Sequence, residues 1–209
     1  MKKILVSFLV LVCATAVGAV LPKSTVKTSP KVPAKAATKA APAAHVVKFN
    51  GQKYILQYSM GNKQEWLNEY LPAGVTFANY TEMLTVRSYD GVKATPEQIG
   101  ASIVTNLRQK YPDTPYNFVN GAYPGEVEVS FAIAEFSVTE FNLFRIVPGK
   151  DGHPVALQYV NRVLLPTPDN PKRQELVETF AAALQKNLNK WVKALRVLPV
   201  PEIVRTPNK

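Results

Sequence analysis

The residues of this 209-residue chain that could do chemistry are few: two histidines, one cysteine, and glutamates set in strand-forming stretches. His45 borders a lysine-rich segment, whereas His153 stands in the turn sequence Asp151-Gly152-His153-Pro154, so convergence of the two on one metal is not expected. There is no His-x-x-x-His, no paired cysteine, no Asp-rich calcium loop and no Gly-rich phosphate loop, and neither a metal nor a cofactor is expected. A Gly-x-Ser-x-Gly elbow, which would expose a nucleophilic serine, is also missing. Carboxylates remain. Glu126, Glu128 and Glu140 fall on stretches of strand composition, and two carboxylates held at a suitable separation could serve a hydrolase as acid and base. Glu126 and Glu128 alternate with Val127 and Val129, however, which is the pattern of a half-buried strand whose glutamates face water.

Recognition has better candidates than catalysis. If Val147 pairs with Val155 across the loop Pro148-Gly149-Lys150-Asp151-Gly152, Glu140 lies opposite Arg162, Asn142 opposite Val160, and Arg145 opposite Leu157. Glu140 and Arg162 would then form a cross-strand ion pair worth about 0.2–1 kcal/mol. Arg162, with Arg145 or Gln158, could instead hold an acidic ligand or partner, because a guanidinium grips a carboxylate with two hydrogen bonds. Aromatic residues crowd the first half of the domain: Tyr54, Tyr58, Trp66, Tyr70, Phe77, Tyr80 and Tyr89. Most belong in a core; Trp66, Tyr70 and Tyr80, beside the 70–80 loop, are the candidates for a ligand or partner surface.

The elements that position these groups read as α+β. Residues 46–49 and 53–58 flank Asn50-Gly51, a pair that supplies the positive φ of a tight hairpin. Residues 66–70 are ambiguous between a short helix and a loop, Leu71-Pro72-Ala73-Gly74 reads as a turn, and 80–89 has strand composition. Thr95, Pro96 and Gln98 open a helix with a capping box, Ile99, Ile103, Leu107 and Tyr111 line one face, and Pro112 ends it. Strands are expected over 126–134, 139–147 and 155–164, then a long helix from Asn170-Pro171 to about Arg196. Its apolar stripe is Leu176, Phe180, Leu184, Leu188, Trp191 and Leu195, with Lys186, Lys190, Lys193 and Arg196 on a solvated face. The expectation is an antiparallel, twisted sheet of five to six strands packed with two main helices.

Ahead of this domain the chain changes character. Lys2 and Lys3, an apolar run from 4 to 12 and small residues from 14 to 19 make a secretory signal, with cleavage after Ala16 or Ala19. The uncharged stretch from 4 to 21 would also serve as a retained anchor, and Cys13 as a lipid-modified residue were Val12 small. Cleavage removes Cys13, leaving no thiol or disulfide. Residues 20–44 have no acid and carry Lys23, Lys27, Lys31, Lys35 and Lys39 among Pro22, Pro30, Pro33 and Pro42, the composition of an extended linker. The net charge of +10 is therefore misleading. Seven of the 25 basic residues precede His45, leaving 18 against all 15 acids, or +3 for the rest. Nucleic-acid binding loses its support; weak, salt-screened contact between the basic tether and an anionic envelope does not. The expected organisation is signal 1–19, linker 20–44, domain 45–196 and an extended Pro-rich tail 197–209.

The element order β-β-(β)-α-β-β-β-α, with Leu71-Pro72-Ala73-Gly74, resembles that of the PsbP-like exported bacterial proteins, a sheet between helices. The resemblance implies a role in binding or assembly support in the envelope, periplasmic or secreted, rather than catalysis. A carboxylate-dependent hydrolase and an envelope-attached structural protein using its basic tail are the other two classes.

Overall fold

The computed structural model describes residues 45–205. The expected signal and linker, with the linker's lysines and Cys13, and the last four residues lie outside them. Asn50 and Gly51 both take positive φ (51° and 82°) and turn β1 (Val46–Phe49) into β2 (Gln52–Gly61), the hairpin that the Asn-Gly pair demands. Next come β3 (Trp66–Pro72), β4 (Glu82–Ser88), α1 (Pro96–Lys110), β5 (Tyr116–Asn120), β6 (Val127–Ala134), β7 (Val138–Pro148), β8 (Pro154–Leu164) and α2 (Lys172–Val197). At the start of α1 the Thr95 hydroxyl accepts from the Gln98 backbone N–H (3.2 Å), and the Gln98 side chain accepts from the Thr95 N–H (2.8 Å). Two otherwise orphaned donors are thereby satisfied.

The fold is α+β with two helices, but the sheet has eight strands rather than five to six. The two additional strands are β3, where 66–70 was ambiguous, and β5. Both are short and lack clean alternation. β3 is held between two neighbours, while β5 is an edge strand paired only with β6. Pairing partners, not local propensity, make them strands.

The sheet is wholly antiparallel in the order β1-β2-β3-β4-β8-β7-β6-β5. It consists of two four-stranded meanders joined where β4 meets β8, and α1 carries the chain from the middle of the sheet to its far edge. The β7–β8 register is the one expected from the hairpin, with Val147 opposite Val155 and Glu140 opposite Arg162.

One helix packs on each face. The α2 face holds the larger core, in which Phe180, Leu184, Trp191 and Leu195 of the helix meet Phe141, Leu143, Leu157 and Tyr159. The Trp191 ring lies 5.3 Å from that of Tyr159 and 6.1 Å from that of Phe141. On the opposite face Ile99, Ile103 and Val104 of α1 cover Val127, Val129, Ile146 and Ala156. This helix lies mainly over β6, β7 and β8. The same face of β2, β3 and β4 has no helix on it, and Met60 and Tyr58 there are exposed.

Covering both faces overturns the expectation that Glu126 and Glu128 look into water. Both are buried, because the C-terminal end of α2 returns over them. The lysines of α2 are exposed as expected, but Arg196 holds Glu128 through two hydrogen bonds of 2.6 and 2.8 Å. The C-terminal segment is extended yet not free. Buried Asn68 accepts from the Val204 N–H (2.7 Å) and donates to the Val204 carbonyl (2.9 Å), strapping the segment across β2 and β3.

Candidate ligand cleft between the first helix and the sheet

Beside the open part of the sheet, the second half of α1 stands off the surface and leaves a cleft of about 320 Å³. Ile103 and Leu107 form its helical wall, Phe131 and Phe144 its far wall, and Thr85 and Gln158 belong to the strands beneath. The two aromatic rings stack at 5.9 Å with 28° between their planes. Thr85 and Gln158 are direct cross-strand partners, so the pairing of β4 with β8 puts a hydroxyl and an amide side by side. The Thr85 hydroxyl is buried and meets no hydrogen-bonding partner among the described residues. Leaving such a group unpaired costs about 1–3 kcal/mol. Arg87 and Lys110 complete the charged lining.

A hydrogen-bonded ladder runs away from the cleft on the same face. Gln158 Nε2 donates to Asn142 Oδ1 (2.7 Å), and Asn142 Nδ2 donates to Glu140 Oε1 (2.9 Å). The order has one cause. A carboxylate only accepts, so it turns the Asn142 amide nitrogen toward itself; the Asn142 oxygen then faces Gln158 and takes that residue's nitrogen. Glu140 thus fixes the orientation of a side chain that lines the cleft. Glu69, opposite Thr85 on β3, is half-buried and has no hydrogen bond or ion pair among the described residues. Burial raises its carboxyl pKa, an effect that the nearby Arg87 charge opposes.

The expected recognition residues divide between the two faces. Gln158 lines the cleft and Glu140 reaches it through the ladder. Arg162 shares their face but is committed elsewhere: it donates to the Tyr80 carbonyl (2.9 Å), and its guanidinium lies 3.3 Å from the Tyr80 ring centre. The expected Glu140–Arg162 ion pair does not form, since each group has found a different partner. Tyr80 therefore belongs with Arg162 in anchoring the loop before β4, and it packs edge-on against exposed Phe77, which meets Tyr58 in the same way.

Arg145, Tyr70 and Trp66 lie on the α2 side. Arg145 is buried and grips Glu126 with two hydrogen bonds (2.7 and 3.2 Å), while its Nη1 donates to the carbonyls of Leu195 and Leu198. It closes the C-terminus of α2, buried and with four of its five donors spent. Tyr70 is a core side chain, 1% exposed. Trp66 is half-buried, its indole lying against Gly61, directly opposite it in the register. The acid–base reading of the sheet glutamates loses its main pair here, because Glu126 and Glu128 are each clamped by an arginine.

Thr85, Arg87 and Lys110 were not singled out by the sequence, and Ile103 and Leu107 were expected only as part of the apolar face of α1. Thr85 and Arg87 alternate with buried Leu84 and Val86, which marks a polar strand face. What lies across from that face depends on a pairing with residues some 70 positions away.

An eight-stranded antiparallel sheet with a helix on each face and a lateral cleft defines the architecture. Residues 41–200 match the model of a protein family of uncharacterised function, and the chain belongs to that family. No curated protein and no solved structure matches the chain. No helix among the described residues is long and apolar enough to cross a membrane.

Proposed function

We propose that the protein is an exported, non-enzymatic binding protein of the bacterial cell envelope, carried on a basic tether, whose ligand occupies the cleft between α1 and the β4–β8 pair. The observation that carries this reading is the unpartnered Thr85 hydroxyl in a largely apolar recess. Folding leaves such a group unpaired at a cost that a ligand's polar atom would offset. Export rests on the charged, apolar and small-residue zones of the first 19 residues, and the resemblance in element order to PsbP-like proteins points to the same kind of role.

The test is a titration of the mature protein with the apolar fluorophore N-phenyl-1-naphthylamine, beside the variant Ile103→Trp, whose larger side chain fills the cleft. Saturable one-to-one binding that is lost in the variant, with its thermal unfolding preserved, is the expected result. Equal binding by both proteins would remove the cleft as the site. Recovery of the chain from the cytosol with Met1 intact would overturn export.

A further inference from the structure

We infer that the cleft takes an amphipathic carboxylate, a molecule with an apolar body that lies along Phe131 and Phe144 and one carboxylate held by Arg87 and Thr85. This deepens the reading above and rests on it for the location of the site.

The first ground is charge. The ionised side chains lining the cleft are Arg87 and Lys110, and no carboxylate lines it. Tyr89, also in the lining, stays neutral: burial raises its pKa, against the lowering influence of Arg87. Lys110 is already paired with Glu135 at 2.8 Å, whereas Arg87 meets Glu65 only at 3.4 Å, so an entering anion is drawn chiefly to Arg87, and its partial removal from water strengthens that attraction. Glu69, opposite Thr85, opposes it, although burial pushes that carboxyl toward its neutral form.

The second ground is unused donor capacity. A guanidinium carries five N–H donors in a rigid fork. Arg87 spends only Nη1, on a single 3.4 Å contact with Glu65, leaving Nε and Nη2 without a partner among the described residues. Thr85 is two residues earlier on the same strand, so both side chains lie on the same face of β4. Its hydroxyl has no partner among the described residues. Gln158, opposite Thr85, spends one amide hydrogen on Asn142 and keeps the other. These unspent donors suit an acceptor-only group such as a carboxylate.

The third ground is shape. Stacked Phe131 and Phe144 face Ile103 and Leu107 across the recess. A volume of about 320 Å³ is near the lower end of the roughly 300–1,000 Å³ range of ligand pockets. That size suits a medium-length chain or a small ring system better than a peptide.

The probes are decanoate, decanol and decyltrimethylammonium below their micelle concentrations, titrated calorimetrically into the mature protein and into Arg87→Gln. Arg87 is half-exposed with one weak ion pair, so this variant folds; its retained affinity for decanol is the check. Charge-assisted hydrogen bonds to the carboxylate should make decanoate bind roughly tenfold to a hundredfold more tightly than decanol. In Arg87→Gln the two should converge. Decanol binding as tightly as decanoate, or the ammonium compound binding most tightly, would overturn the carboxylate and leave the cleft standing as a site. Decanoate affinity unchanged in Arg87→Gln would overturn the assigned anchor and place the anion elsewhere, the basic tether included. Failure of all three probes to bind would overturn both this inference and the reading beneath it.

Discussion

Replacing Arg145 with alanine should destabilise the fold more than any exposed substitution, and the structure sets the size of the effect. The guanidinium is buried; it neutralises Glu126, whose side chain is only 7% exposed, and it satisfies two carbonyls at the end of α2. Arg145→Ala leaves that carboxylate buried and uncompensated. Breaking a buried pair by removing one partner costs about 3–5 kcal/mol, about a fifth or more of the stability of an ordinary domain. For a domain of this size the melting temperature should fall by about 6–20 °C. Urea unfolding followed by tryptophan fluorescence is the assay, since Trp191 is buried in the core that α2 shares with the sheet. The double variant Glu126→Gln with Arg145→Ala removes the stranded charge and should recover about 1–3 kcal/mol of the loss. It should not recover all of it, because the Leu195 and Leu198 carbonyls still lack their donor. A loss within about 1 kcal/mol for Arg145→Ala, the range of an exposed pair, would refute the view that this arginine joins β7 to the end of α2.

Two further outcomes test other parts of the molecule. Asn68→Ala should release the C-terminal strap: the Val204 amide, protected in the wild type by the Asn68 oxygen, should exchange freely with deuterium, and stability should drop by about 1–3 kcal/mol. Unchanged exchange at Val204 would show that something other than Asn68 holds the segment. Tyr54 and Tyr159 both donate to the Glu82 carboxylate (2.7 and 3.0 Å), and burial raises both phenol pKa values, with the Glu82 hydrogen bonds and charge pushing the same way. Their stabilising contribution is fully present below the ordinary tyrosine pKa near 10. It is lost as pH rises toward their folded-state values. An ultraviolet titration should therefore find at least these two of the nine tyrosines un-ionised until the protein unfolds; their smooth ionisation near pH 10 in the folded state would contradict the arrangement.

Much of the local structure was legible from short stretches of chain. Asn50-Gly51 specified its turn because few residue pairs adopt two positive φ angles cheaply. Thr95, Pro96 and Gln98 specified a helix start because each satisfies or removes an orphaned donor. The β7–β8 register followed from the loop between the strands, which is why Glu140 could be placed opposite Arg162, and Asn142 opposite Val160, in advance. Arg162 was placed on the right face as well, but its partner was not. The Tyr80 carbonyl that it holds comes from a loop about 80 residues earlier in the chain.

The chain by itself thus determined where most strands and both helices begin and end, and that Val127 and Val129 share one side of β6 while Glu126 and Glu128 take the other. Tertiary structure alone decided which of those sides meets water, and the answer was neither. Alternation with period two reveals that a strand has two faces; it carries no information about what a distant helix will cover. The same limit applied to the cleft. Thr85 and Gln158 become neighbours only when β4 and β8 close the two halves of the sheet, and the recess above them exists only because α1 covers β6 to β8 and stops. Turns and caps are set by residues a few positions apart, whereas a binding site is set by which surfaces long-range packing leaves uncovered.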